Sequence, residues 1–182
     1  MPQIVIKSLK VGLWVILSFI FTANSTTEII TDEIPLSEGS YLLNVSGESE
    51  LQLQGAINFE TIVKRSSKGK EYTILKLNLT DQQNLPSHSL GFFVSQQYSS
   101  AKIDNGRYKI STNIKGFFNN FDGVFGFANI SQYGELPFFT KNGSISINNI
   151  NEKVVEGSMN VVFENTTKKS IDIKGNFVAL RK

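Results

Sequence analysis

Residues 142–180 read NGSISINNINEKVVEGSMNVVFENTTKKSIDIKGNFVAL. Apolar side chains recur at every second position in three runs: Ile145/Ile147, then Val155/Met159/Val161/Phe163, then Ile171/Ile173/Phe177/Ala179. Successive side chains of a strand point to opposite faces, so each run carries one apolar face. Polar stretches at 148–153 and 165–169 separate the runs and read as turns. Three strands facing one core follow.

The same period of two extends upstream to Ser40. Leu51, Leu53, Ile57, Phe59 and Val63 share one parity, with Gly55 read as a bulge. After a turn at 64–70, Thr73, Leu75, Leu77 and Leu79 return, and Leu90, Phe92 and Val94 continue the row. Asp104-Asn105-Gly106 reads as a hairpin turn, because Asn and Gly tolerate positive φ. Tyr108, Ile110, Thr112 and Ile114 resume the alternation, and the aromatic stretch 117–130 contains a second turn signal at Asp122-Gly123. Nowhere after Ser25 do apolar residues recur at i, i+3, i+4 and i+7 over three turns. The expectation is an all-β domain over 40–182: an antiparallel meander of about eight to ten strands, closing as a barrel or folding over as a sandwich.

The first 25 residues have a different character. Lys7 and Lys10 precede the apolar run VGLWVILSFIF at 11–21, followed by Ala23-Asn24-Ser25. A basic start, a short apolar stretch and a small-x-small site are the parts of a cleavable export signal. A spanning helix needs roughly 20 apolar residues, and extending this run upstream would bury both lysines. Residues 1–25 are therefore expected to be a signal peptide and 26–39 a partly mobile leader, placing the chain in the periplasm or outside the cell. Removal of the signal also removes Trp14, the only tryptophan, and balances the remaining charge at 16 of each sign. That balance is uneven along the chain. Residues 26–63 hold seven acids and no base, whereas 64–182 hold 16 bases and nine acids. Such asymmetry favours contact between the two parts of the chain, or between molecules.

The stretch 142–180 resembles the end of a loose group of exported bacterial β-rich domains. These finish with a Gly-led strand, a strand opening on a Gly-small-apolar step, a charged turn and a last Gly-x-Phe strand. The matching residues are Gly143, Gly157, Gly175 and Phe177, and Gly106-Arg107-Tyr108 is similar to the Gly-x-Tyr of a middle strand in that group. The resemblance implies a β fold and an export route; it implies no chemistry. Many members carry a lipid-modified Cys after the signal, which this chain lacks.

Composition excludes several classes. Of 182 residues, 40% are hydrophobic and only 19% charged, with 14 Phe, so the chain is not intrinsically disordered. With no cysteine there is no disulfide framework, thiol nucleophile or Cys-bound lipid anchor. The single histidine, His88 in Leu-Pro-Ser-His-Ser, reads as a solvated loop or strand-edge residue; no Gly-x-Ser-x-Gly elbow accompanies it. Glu48 and Glu50 would stand about 7 Å apart on one strand face, as any i, i+2 pair does, so their spacing is no mark of a glycosidase. No calcium-loop spacing is present, and Asn148-Asn149-Ile150-Asn151-Glu152 lacks any Asp. The expectation is no enzyme, no metal and no cofactor. The basic cluster Lys64/Arg65/Lys68/Lys70 lies in a turn, without the broad basic face a nucleic acid requires. Six Asn-x-Ser/Thr triplets, at Asn24, Asn44, Asn78, Asn129, Asn142 and Asn165, stand against about three expected by chance, and the Asn/Ile/Lys/Phe-rich composition fits an AT-rich bacterial genome.

Aromatics are the suggestive feature. In the adjacent pairs Phe92/Phe93, Phe117/Phe118 and Phe138/Phe139, one member of each must face away from the core. Phe118, Tyr133 and Phe138 are expected to form an exposed patch or line a barrel mouth, and an exposed apolar patch marks a contact site. The leading expectation is a non-enzymatic domain acting by binding or structural interaction at the cell envelope or outside it. Its partner would be an envelope or extracellular protein, a polysaccharide or an apolar small molecule, with no nucleic acid. The alternative is a lipocalin-like carrier holding an apolar ligand past Phe121, Phe125 and Phe127.

Overall fold

The computed structural model describes residues 36–66, 69–81, 87–97, 102–111 and 121–182. These belong to the compact unit Pro35–Lys182. The expected signal peptide at 1–25 and residues 26–35 of the expected leader lie outside the described residues. Nine strands follow in chain order: β1 (Ser40–Ser46), β2 (Leu51–Arg65), β3 (Glu71–Asp81), β4 (His88–Gln97), β5 (Gly106–Lys109), β6 (Gly123–Ile130), β7 (Phe138–Ile150), β8 (Val154–Asn165) and β9 (Ser170–Arg181). One turn of 3-10 helix, Ser131–Tyr133, links β6 to β7.

Eight of these strands close a barrel. The order β7-β6-β4-β3-β2-β1-β9-β8 returns to β7, every one of these neighbours antiparallel, and β5 is an added strand on β7. Of the two architectures the alternation left open, the chain adopts the barrel. Closure runs through β1, which pairs with β2 from Ser40/Ala56 to Val45/Leu51 and with β9 from Ser40/Val178 to Ser46/Asp172. β1 is only seven residues long. Beyond it, its two neighbours meet directly at Asn58/Leu180 and Phe59/Arg181, in parallel because both are antiparallel to β1. β6 and β7 pair only at Phe127/Phe139 and Ala128/Phe138, and β5 continues along β7 from Lys109/Ser144 to Gly106/Ile147.

Alternation fills the interior. Leu43, Leu53, Phe59, Leu75, Leu77, Leu79, Phe92, Val124, Ile145, Val161, Phe163, Ile173 and Phe177 are all buried in one cluster. Phe92 and Phe163 meet edge to face across it, with centroids 5.8 Å apart. The outward positions of β1, β2, β8 and β9 include Asn44, Gln52, Gln54, Asn160, Lys174 and Asn176, exposed in register beside one another, with Leu42 exposed between Gln54 and Asn176. A membrane-spanning barrel presents apolar side chains outward; on this wall carboxamides predominate, with Leu42 and Lys174 among them. Among the described residues no helix is long and apolar enough to cross a membrane.

β7 reconciles two parities. Phe138 and Ile145 are both buried although one is even and one odd, because a register shift lies between Thr140 and Asn142; a second lies between Ile147 and Asn149. Each bulge inserts one residue and returns the apolar face to the core. Gly143 follows the first at φ 113°, where an added Cβ would lie 2.1 Å from the Asn160 carbonyl oxygen.

Two local expectations are corrected. Gly55 is no bulge: it keeps regular register with Tyr41 and Asp81, and its missing Cβ leaves room for the Tyr41 hydroxyl. Asp104-Asn105-Gly106 is not a hairpin turn either, since β5 pairs with β7 and not with the preceding β4. The segment is instead folded onto the following strand. The Tyr108 hydroxyl accepts from the Asp104 amide (3.1 Å) and donates to the Asp104 carbonyl (2.7 Å), while Ile103 is buried against the core.

Candidate functional site

An aromatic face forms on the outside of β4, β6 and β7. β4 and β6 pair from His88/Ile130 to Ser95/Gly123. Their inward residues are Leu90, Phe92 and Val94 against Val124, Gly126, Ala128 and Ile130, so Phe93, Phe125 and Phe127 point outward. Phe93 stands opposite Phe125, and Phe127 opposite Phe139. The rings of Phe125 and Phe139 lie 23° from parallel with centroids 6.2 Å apart. Phe127 lies over Gly91, where a Cβ would come within 2.5 Å of its ring. Phe139 is 41% exposed and the other three are half-buried.

The rim of this face is charged but internally paired. Lys76, opposite Phe93 in register, binds Glu60 at 2.6 Å. On the other flank Glu164, opposite Phe139, is held by Lys141 and by Lys168 at 3.1 Å. Hydrogen bonds from these lysines hold both carboxyls below the usual glutamate range. The expected attraction between the acidic first part of the chain and the basic remainder is present in Glu60–Lys76 and in Glu48–Lys169, the latter at 2.9 Å.

The residues singled out from sequence are placed as follows. Phe118 lies outside the described residues. Phe138 is not on the exposed patch: it points inward and is 1% exposed, and its neighbour Phe139 takes the outer position. Tyr133 stands at one end of the barrel, half-buried, edge-on to Phe138 at 6.3 Å, with its hydroxyl donating to the Ser49 carbonyl at 2.6 Å. Phe121 is buried just before β6. Phe125 and Phe127 lie on the outer wall, so the expected interior row of Phe121, Phe125 and Phe127 does not form. The reason is Phe92. Its ring occupies the space inside β6, where a Cβ on Gly126 would lie 2.6 Å from it, so the small residues Gly126 and Ala128 face in and the phenylalanines between them face out.

Sequence reasoning passed over the polar cluster at the barrel end where β3 finishes and β4 begins. Tyr41 is buried and inward, with its hydroxyl 3.2 Å from the Thr80 carbonyl and hydrogen-bonded to His88 Nε2. The rings meet edge-on at 6.0 Å. Burial, then the neighbouring Asp81 carboxylate, push the Tyr41 hydroxyl well above its ordinary pKa. His88 is 7% exposed, which corrects its expected solvated position. Its parity with Leu90, Phe92 and Val94 was the available signal. A cleft of about 590 Å³ lies beside it, lined by Ser87, His88, Ser89, Asn129, Ser131 and Glu135 among others.

The opposite end, where β2 and β9 finish, carries an open cleft of about 390 Å³. Half-buried Ile150 lines it with Thr61, Lys102, Glu152 and Arg181, while Phe59 and Ile103 are buried beneath. The Arg181 guanidinium lies over the Phe59 ring at 5.1 Å, and its Nε donates to the Glu152 carbonyl. Glu48 and Glu50, the paired carboxylates of the sequence, are both exposed. Among the described residues no three His, Cys, Asp or Glu gather in a way that could hold a metal ion. No family model, curated protein or solved structure matches the chain.

Proposed function

We propose that this chain is an exported, non-enzymatic binding domain whose contact surface is the outer aromatic face of β4, β6 and β7. The observation that carries the reading is the stacked pair Phe125/Phe139 on the outer wall, with Phe139 open to solvent. Clustered outward phenylalanines contribute nothing to the barrel core, and aromatic anchors inside a polar rim are the usual anatomy of a protein contact. The flanking ion pairs set Lys76, Lys141 and Lys168 against Glu60 and Glu164, leaving one net positive charge, well short of the broad basic face a polyanion requires. The partner of matching chemistry is an envelope or extracellular protein presenting an uncharged, apolar surface.

The test places the photo-crosslinking residue p-benzoylphenylalanine at 139 and, as a control, at 54 on the carboxamide wall, in the native host. The adduct is identified, and the partner is then purified and titrated against the wild-type chain and Phe139→Ser. The reading expects an adduct at 139 alone, and binding weakened at least about tenfold by Phe139→Ser. Equal adducts at both positions, an adduct with a second copy of this chain, retention by a polysaccharide alone, or an indifferent Phe139→Ser would each contradict it.

A second reading, a carrier of a small apolar molecule, draws support from the open cleft of about 390 Å³ at the β2/β9 end. The described inward side chains occupy the barrel axis, so this reading now rests on the mouth of the barrel.

A further inference from the structure

The cleft of about 590 Å³ beside His88 lies where β4 begins and β6 ends. Strand register sets Ser89 beside Asn129 on the outer side of this pair and His88 beside Ile130 on the inner side. The chain beyond β6 adds Ser131, Gly134 and Glu135 to the lining. Backbone bonds fix the rim: Ser131 N donates to Ser87 O at 3.1 Å, and Gly134 N to Ser131 O at 3.2 Å. Tyr133, between Ser131 and Gly134, is anchored by its hydroxyl on Ser49 O at 2.6 Å. A frame tied in this way has little freedom left to lose when a ligand settles.

The functional groups on this rim carry charge of one sign only. Ser87, Ser89 and Ser131 bring hydroxyls, Asn129 a carboxamide and Glu135 a carboxylate, and no lysine or arginine stands among the described lining residues. Ser87, Asn129, Ser131 and Glu135 are exposed and Ser89 is half-buried, so these groups are open to a solute. His88 is buried yet reaches the same cleft, and its ring is held by the hydrogen bond with Tyr41.

We infer that this cleft binds an amino sugar, a ring bearing several hydroxyls and one ammonium group. The ammonium pairs with the Glu135 carboxylate, and the ring hydroxyls exchange hydrogen bonds with the three serines and Asn129, with the His88 ring beneath. Serine hydroxyls and the asparagine carboxamide each donate and accept, as sugar hydroxyls do, so neither partner is left with a mismatched group. An anionic ligand would face Glu135 with no base to answer it, so charge complementarity selects a cation. The volume of about 590 Å³ falls within the range of small-molecule sites, roughly 300–1,000 Å³. The inference is independent of the aromatic contact face and of the carrier reading, whose cleft lies at the other end of the barrel.

The experiment titrates the isotope-labelled chain with glucosamine and follows backbone amide shifts. Glucose is the probe without the ammonium, and cyclohexylamine the probe without the hydroxyls. Glucosamine is expected to give saturable shifts at Ser87, Ser89, Asn129, Ser131 and Glu135. Glucose and cyclohexylamine should each bind about three- to fivefold more weakly, the scale of an exposed ion pair or of solvent-facing hydrogen bonds. Added salt should weaken glucosamine and leave glucose unchanged. Glu135→Gln should bring glucosamine to the level of glucose, and Asn129→Ala should weaken both sugars alike. Both side chains are exposed, so both variants are expected to fold. Glucose binding as tightly as glucosamine, or an indifferent Glu135→Gln, would overturn the ammonium contact. Cyclohexylamine matching glucosamine, or an indifferent Asn129→Ala, would overturn the sugar. Silence from glucosamine, or shifts confined to other residues, would overturn the site itself. Phe139→Ser should leave the titration unchanged.

Discussion

Phe138 and Phe139 are adjacent in the chain and opposite in environment: one is 1% exposed inside the barrel, the other 41% exposed outside it. Truncating a buried phenylalanine removes its transfer free energy and leaves a cavity. Phe138→Ala should therefore cost about 3–5 kcal/mol of unfolding free energy, whereas Phe139→Ala, losing only part of a ring stack, should cost less than about 1 kcal/mol. Urea denaturation of the two variants measures the difference. Comparable losses would mean that the parity at the start of β7 is misassigned.

The Tyr41–His88 pair makes a second prediction at this scale, and its sign is fixed by the raised hydroxyl. A tyrosine whose folded pKa lies above its unfolded value of 10.0 favours the fold below that pH. It loses that contribution as the pH rises through 10 toward the folded value, because the unfolded chain ionises first. Thermal melts should decline above pH 10, and Tyr41→Phe should flatten that limb. Tyr108, also raised by burial, supplies a residual slope in the variant. An unchanged limb in Tyr41→Phe would remove Tyr41 as its source. Side-chain identity alone did not reveal this cluster. A histidine between two serines reads as polar surface, and only the position of Gly55, which vacates the space over Tyr41, explains why the pair fits inside.

At the scale of elements, alternation made β2, β3, β4, β8 and β9 legible, because each keeps one apolar parity over most of its length. β7 was legible only in part. Its two register shifts break the period at Thr140/Asn142 and Ile147/Asn149, and a bulge leaves little trace in hydropathy. Gly143 is the residue that fixes the first shift. Gly143→Ala would place a Cβ 2.1 Å from Asn160 O at φ 113°. It should cost at least about 3 kcal/mol, or move the bulge. Gly106→Ala, with nothing within 4 Å of the added carbon and no positive φ, should be close to neutral. Paired melting curves of the two alanine variants read this directly, and equal tolerance would show that the bulge is mobile. β6 was misread for a different reason. Hydrophobicity placed its phenylalanines inside, whereas volume decides the matter, because Phe92 leaves room only for Gly126 and Ala128.

At the scale of the whole molecule, closure of the barrel sorts every side chain into inner or outer. The sequence shows strand faces but not which strands end as neighbours; β1 and β9 lie about 130 residues apart in the chain and pair along the whole of β1. Barrel and sandwich share one alternation pattern, so the choice was open until pairing was known. The functional reading depends on the same sorting. The outer aromatic face exists only because β6 and β7 are neighbours, and the cleft beside Arg181 lies where β9 runs past the start of β1 and reaches β2.

The most direct test is therefore of closure itself. Backbone nuclear Overhauser contacts between β1 and β9 of the labelled chain, at Leu43/Gly175, Asn44/Lys174 and Val45/Ile173, are expected together with those of β6 and β7 at Phe127/Phe139 and Ala128/Phe138 and of β7 and β8 at Ile145/Met159. Their joint presence would establish the ring of eight strands and with it the outward placement of Phe93, Phe125, Phe127 and Phe139. Finding β7–β8 contacts while β1 and β9 each show an unpaired edge would mean an open sheet or a sandwich, and would contradict the account.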